Sequence, residues 1–354
     1  MEKLPPLQSI EQIETRKVLK KLTSTHAALA ELKGVAGTIP NERILIDTLA
    51  LQEAKDSSEI ENIITTHDEL YRSTINFKEF PSAQAKEVHR YSEALKIGFD
   101  DVKNSGIISL KLILKIQEII EGNNAGVRKL PGTVLKNDLT GEVVYTPPQD
   151  YDTILDLLGN FEKIINDQLH FDVDPLVKMA IFHHQFESIH PFYDGNGRTG
   201  RIVNILYLIK EKLLNLPILY LSRYIIKNRN QYYSLLQETR QQSDWEKWVL
   251  YILDAVEKTS IETVATIKGM KSLMLSVKKK IRSEEPKIYS QDLINNLFRH
   301  PYTKIRLLQD DLRVTRITAT KYLETLTEIG ILNKIKVGRS NYYINHQLFD
   351  LLST

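Results

Sequence analysis

His190-Pro191-Phe192-Tyr193-Asp194-Gly195-Asn196-Gly197-Arg198-Thr199-Gly200-Arg201 is the stretch around which the 354-residue chain is organised. It brings together a titratable imidazole, a carboxylate, two glycines around an asparagine, and two arginines. Upstream, Pro175 to Ile189 carries apolar Leu176, Ala180, Ile181 and Ile189 as a helix would. Downstream, Ile202 to Ile209 is nearly all apolar and helical in character. The glycines therefore fall between a helix end and a helix start. There, successive backbone N–H groups can point into one concavity beside the positive end of the second helix. Anions bind in such a place.

Arg198 and Arg201 stand three apart and share a face of the first turn of that second helix. Cations near a helix start oppose its macrodipole, a choice that makes sense if a polyanion sits between the two guanidiniums. Asp194 offers a hard oxygen suited to Mg²⁺ and its waters. His190 has the chemistry to take a proton from an attacking hydroxyl.

These residues resemble the signature of the Fic family, His-Pro-Phe-x-Asp/Glu-Gly-Asn-Gly-Arg-x-x-Arg, with every specified position filled. The resemblance implies a mainly α-helical Fic core with a β-hairpin flap. It implies transfer of AMP from ATP to a Ser, Thr or Tyr hydroxyl of a target protein, or of the chain itself. His190 would be the catalytic base and Asp194 the Mg²⁺ ligand. ATP would meet Gly195, Asn196, Gly197, Arg198, Thr199, Gly200 and Arg201, with the Asn196 amide on the α-phosphate and the two arginines at the β/γ end. Tyr232 and Tyr233 match a position where the family contacts adenosine.

Composition sets the frame. The chain is 42% hydrophobic and 26% charged, as soluble globular proteins are, and long enough for two or three domains. No apolar run approaches the roughly 18 residues that a membrane span needs. Met1 to Pro6 has no apolar signal core, so a cytoplasmic location is expected. With no cysteine, disulfides, thiol catalysis and cysteine-bound metals are excluded. Residues 271–354 hold 15 Lys+Arg against 8 Asp+Glu, a net of +7, so of the chain's 47 and 45 the remainder holds 32 against 37, a net of −5.

Going along the chain, the first 35 residues or so read as one helix stopped at Gly34, and Asn41 is placed to cap a second. Asp56-Ser57-Ser58-Glu59-Ile60-Glu61-Asn62 has two readings. One is a capping box, with Ser58 bonding the Glu61 N–H. The other comes from resemblance: Ser57-x-x-x-Glu61-Asn62 is similar to the inhibitory motif of many Fic proteins, in which Glu61 would pair with Arg201 and keep it from the γ-phosphate. Residues 84–121 look helical, with Ile107, Leu110, Leu112, Ile113, Ile116 and Ile119 as a core stripe.

Thr133 to Lys136 and Glu142 to Tyr145 are β-prone runs parted by Asn137-Asp138-Leu139-Thr140-Gly141, which reads as a hairpin. The resemblance makes it the flap on which a target protein docks and places Val134, Leu135, Lys136 and Asn137 at the ATP site. His183 and His184 lack a metal-binding spacing and read as packing residues. Residues 257–285 read as a helical linker. Beyond it, helices at Ser290–Phe298 and Lys304–Leu312, a third capped by Thr315 and ending at Gly330, and a basic two-stranded hairpin resemble a winged helix-turn-helix.

The expected domains are therefore an N-terminal helical region at 1–83, a Fic core at 84–256 with its flap near 128–147, the linker, and the winged helix at 286–354. The last is read as a DNA- or protein-binding module, and the chain as a candidate homo-oligomer. Two other functions stay open: a Fic-like enzyme that removes AMP or moves another phosphoryl or nucleotidyl group, and a DNA-binding regulator using the core as a nucleotide sensor.

Overall fold

The computed structural model describes residues 13–73, 80–136, 140–169, 171–242, 244–337 and 340–353. The fold is mainly α. Helices α1 (Arg16–Ala36), α2 (Glu42–Ile60), α3 (His67–Ser73), α4 (Ala83–Ser105) and α5 (Leu110–Glu121) lead to a short hairpin, β1 (Leu135–Lys136) and β2 (Val143–Tyr145). Next come α6 (Tyr151–Ile165), α7 (Pro175–Ile189), α8 (Asn196–Lys210), α9 (Leu221–Lys227), α10 (Arg229–Gln242) and the 40-residue α11 (Trp245–Glu284). No helix among the described residues is long and apolar enough to cross a membrane.

Two helices form the centre of this body. On α7, every residue from Leu176 to Ile189 is buried, and α8 is buried over nearly its whole length. Apolar residues occur on every side of α7, and its buried polar side chains find partners inside the body, as His183 does on Tyr232. The surrounding shell is α4 and α5 beside α8, α6 against α7, and α11 across the back, with α1 lying along α11. Phe161, Phe182, Phe186 and Tyr207 interlock at the centre, with ring centroids 4.8–5.7 Å apart. Trp248 joins them to α11 and donates its indole N–H to the Ala180 carbonyl at 2.7 Å.

The boundaries differ from the sequence reading where caps compete with periodicity. Helix α1 continues past Gly34 to Ala36 and is closed by Gly37. The single helix expected over 84–121 is two, because the Gly106 N–H turns back to the Val102 carbonyl and ends α4. Ile107, assigned to the core stripe, lies in that connection and is half exposed. Ser58 and Glu61 form no capping box, since they stand at the C-terminal end of α2. The stretch 257–285 does more than link: much of it packs on α1, with Thr259, Thr263, Val264 and Ile267 buried and Lys268 bonded to Glu31.

The C-terminal module contains α12 (Gln291–Arg299), β3 (Tyr302–Thr303), α13 (Ile305–Leu312), α14 (Arg316–Glu328), β4 (Asn333–Val337), β5 (Ser340–Ile344) and α15 (His346–Ser353). Its antiparallel sheet has three strands in the order β3-β5-β4, where the sequence suggested two. Tyr302 and Thr303 add the third by pairing with Ile344 and Tyr343. The module rests on the body through α12 and α15: Arg299 bonds Asp47 on α2, and Tyr302 donates to Asp68 at 2.7 Å.

Candidate active site

The signature forms the corner between α7 and α8. His190 ends α7 in the left-handed region, φ 47°, uncommon for a side chain with a Cβ. Its own N–H bonds the Phe186 carbonyl. From outside, the buried Arg128 donates through Nε to the His190 carbonyl at 2.8 Å and through its terminal nitrogen to Pro148. One side chain thus pins both the histidine and the end of the flap segment. Burial, reinforced by Arg128, pushes the His190 imidazole down to about 4, so it is neutral at physiological pH.

After His190 the chain makes a tight loop. Asn196 closes it with both ends of its amide: Oδ1 accepts from Phe192 N–H at 2.8 Å, and Nδ2 donates to the Phe192 carbonyl at 2.9 Å. Those bonds hold the side chain to the loop and leave the backbone N–H of Asn196 at the helix start, where it can meet a phosphate. Gly195 caps α8 at φ 78°. Gly197 is needed for close approach, since a Cβ there would collide with Glu61 and Arg201. The N–H groups opening α8 have no partner within the helix and carry the positive end of its dipole. The loop therefore has the anion-binding form that the residue pattern implied.

The arginines are both buried and both paired. Arg198 meets Glu121 at 2.8 Å and Glu87 at 3.3 Å, carboxylates that sequence reasoning passed over. Arg201, 1% exposed, donates to Ser57 Oγ at 2.8 Å, to the Ser57 carbonyl at 2.9 Å and to Glu61 Oε1 at 2.8 Å. Burial opposes the Glu61 charge, but Arg201 outweighs it and holds the carboxylate below its usual range. Asn62 extends the contact by accepting from Arg229 at 3.0 Å. Ser57, Glu61 and Asn62 are thus brought to α8 and α10, across 140 residues in the Glu61–Arg201 pair.

Other expected site residues divide. Thr199 and Gly200 face inward, Thr199 fully buried and Gly200 against Phe186 and Glu187. Tyr232 is buried, its hydroxyl on His183 at 2.9 Å, whereas Tyr233 is 44% exposed and presents a ring. The two histidines of α7 are packing residues: burial pushes both down to about 3. In the flap, Leu135 pairs with Tyr145 and Lys136 with Val143, and Val134 precedes the strand. Asn137 lies outside the described residues. The flap is stitched to the signature by the Arg128 N–H on Pro191, the Lys129 N–H on the Tyr193 hydroxyl, and the Tyr145 hydroxyl on Ser188.

Asp194 is 77% exposed at its side chain, with Oδ1 accepting the Gly195 N–H. Among the described residues, no group of three acidic or histidine side chains surrounds it. A single exposed carboxylate at an anion loop fits Mg²⁺ held mostly by phosphate oxygens and water.

With this geometry in place, comparison with known proteins is specific. Residues 19–100 match the Fic/DOC family N-terminal region, 107–208 the Fic/DOC family itself, and 273–348 the C-terminal domain of SoFic-like protein adenylyltransferases.

The chain belongs to the Fic/DOC family.

It is 32% identical over 203 residues to a probable protein adenylyltransferase of Aquifex aeolicus, covering 55% of this chain and 57% of that one. It is 28% identical over 158 residues to the protein adenylyltransferase Fic of Aedes aegypti, covering 45% and 30%. The chain thus spans less than two thirds of the length of either relative. A Fic family protein from Desulfovibrio desulfuricans superposes over 96% of this chain and 98% of its own, with TM-score 0.61 and 20% identity. A Fic-1 fragment from C. elegans covers 71% and 73%, with TM-score 0.56 and 20% identity. These two likenesses establish the fold. The family pattern points to the loop and to His190; Arg128, Glu121 and Glu87 carry no local signal, because their partners lie up to 111 residues away.

Proposed function

We propose that this Fic protein transfers AMP from ATP to a Ser, Thr or Tyr hydroxyl of a protein, itself included, and that Glu61 restrains the reaction. One observation carries the reading: a neutral, half-buried His190 stands beside an anion-binding helix start whose inner arginine, Arg201, is occupied by Glu61. The adenylyltransferases among its relatives support the reaction class.

In this mechanism the triphosphate lies against the backbone N–H groups that open α8, and Arg201 receives the γ-phosphate once Glu61 withdraws. The adenosine end meets the exposed ring of Tyr233. The flap aligns the target's hydroxyl. Its oxygen attacks the α-phosphorus as His190 takes the proton, the α–β anhydride bond breaks, and pyrophosphate leaves with the bonding pair. Bound at Asp194, Mg²⁺ would supply charge neutralisation on the phosphates. Positioning and fixed dipoles provide most of the acceleration, since the backbone donors need no reorganisation. Mass spectrometry of the protein after incubation with ATP and Mg²⁺ tests the reading. An added AMP on the chain or on a partner supports it; a phosphoryl group instead, or no adduct from Glu61→Gly, refutes it.

The C-terminal module supports a partner role, for which we propose duplex DNA. Its body contacts run through α12 and α15, while α14 packs chiefly on α13 and turns its other face outward. Arg313, Arg316 and Lys321 at that face and Lys336 on the hairpin are exposed, and none is in an ion pair among the described residues. An exposed helix face bearing Arg316 and Lys321, with Lys336 on the hairpin beside it, fits a phosphate backbone.

A further inference from the structure

Two carboxyls lie fully inside the body close to the site. Glu53, on α2, is satisfied: Ser222 donates to it through N–H and hydroxyl, and Tyr91 through its phenol. Glu187, on α7, is not: among the described residues its Oε1 is buried without a hydrogen-bond partner. A buried carboxyl oxygen left unpaired is costly and calls for a reason. None of the steps proposed above uses it.

Its surroundings supply one. Glu187 stands three residues before His190, and its Oε1 would lie 3.3 Å from a Cβ at Gly200, the residue next to Arg201. The charged and titratable groups facing it are Arg201 from α8, Glu61 from the end of α2, and Arg240, Tyr232 and Tyr233 from α10. Two carboxyls therefore face one guanidinium. Both ionise there only at a cost, because two like charges share one guanidinium and Glu187 is withdrawn from water. Glu61 holds the charge and the hydrogen bond.

We infer that Glu187 is a positioning residue for Arg201: it stays protonated while Glu61 is in place and ionises to neutralise the guanidinium when Glu61 withdraws. The inference rests on the inhibitory reading of Glu61 above. Burial, with Arg201 opposing and Glu61 adding, pushes Glu187 up to about 7. Withdrawing Glu61 removes a contribution that raises it and leaves Arg201, which lowers it. The closed state thus holds a proton that the open state loses. By linkage, raising the pH through about 7 favours the open state, and lowering it tightens the lock.

The experiment is the pH dependence of the initial rate of AMP incorporation in the full chain, expressed as wild type divided by Glu61→Gly. His190, at about 4, stays neutral across the range tested and adds no slope of its own. The ratio should rise roughly three- to tenfold between about pH 6 and pH 8.5. With Glu187→Gln in both backgrounds it should be flat, and Glu187→Met should behave the same way. A slope retained in either folded variant overturns the inference. An infrared difference spectrum between wild type and Glu61→Gly at neutral pH needs no change at Glu187. A protonated-carboxyl band lost on removing Glu61 supports the inference, and an unchanged band overturns it. If Glu61→Gly is no faster than wild type at any pH, the inhibitory reading fails as well. If it is faster but the ratio is flat, only the role of Glu187 falls.

Discussion

Replacing Glu61 by glycine perturbs a contact whose size can be worked out. Arg201 is 1% exposed, and Glu61 is the carboxylate bonded to it, at 2.8 Å. Removing one partner of a fully buried pair costs roughly 3–5 kcal/mol. Glu61, however, keeps 35% of its side chain in water, so a screened figure of about 2–3 kcal/mol is appropriate. Ser57 keeps both its contacts with Arg201, so the guanidinium retains its direction while losing its counter-charge. Glu61 already ends α2 at φ −92°, where glycine introduces no strain. At about 1.4 kcal/mol per tenfold, the population open to a γ-phosphate should rise roughly 30- to 150-fold. The assay is the initial rate of label transfer from α-labelled ATP to the chain, with the adduct confirmed by mass. Glu61→Gln, which keeps the shape without the charge, should fall between the two. An unchanged or lower rate in Glu61→Gly, at an unchanged melting temperature, would falsify the inhibitory role.

The other expected outcomes follow from particular groups. His190→Ala should slow transfer about 10²–10⁴-fold while leaving ATP affinity in a calorimetric titration near that of wild type; a comparable rate would remove His190 from the chemistry. Because His190 sits at about 4, well below an ordinary histidine, transfer by Glu61→Gly should hold its rate down to about pH 5. A fall centred near pH 6.5 would mean the imidazole is not desolvated in the working enzyme. Glu53 is pushed up to about 7 chiefly by burial, so the folded state binds its proton across a range where the unfolded chain does not. Stability should therefore decline from about pH 4.5 to pH 7, and Glu53→Gln should match wild type near pH 4.5 but gain up to about 3 kcal/mol above pH 7 in chemical denaturation. A constant difference across that range refutes the raised ionisation. Full-length protein should shift duplex DNA at low salt, with affinity falling by a log–log slope of about −0.9 per phosphate contact. Arg316→Ala with Lys336→Ala should weaken the shift severalfold, and binding indifferent to both would turn the module toward protein partners.

The loop from His190 to Arg201 was legible because its requirements are local. A left-handed corner at His190, a left-handed glycine at Gly195 that opens α8, and an asparagine that closes its own turn all act within a few residues. Helix caps at Asn41 and Thr315 were readable for the same reason. Periodicity failed at Ile107, where a glycine cap overrode an apolar repeat that ran on through it. The two-stranded hairpin of the C-terminal module gained its third strand from Tyr302 and Thr303, a run too short to register as a strand.

By itself, then, the sequence determined the helical class and the glycine loop between two helices, and it put forward His190 as a candidate base and Ser57 and Glu61 as candidates for restraint. Tertiary structure alone decided which charges meet. Arg198 faces Glu121 and Glu87, Arg128 pins His190, Tyr232 is hidden while Tyr233 is open, and Glu187 keeps a buried Oε1 with no hydrogen bond among the described residues. The reason is physical. Backbone geometry is set by interactions within a few residues, whereas the charge of a buried group depends on every group that packing brings near it and on the water that packing removes.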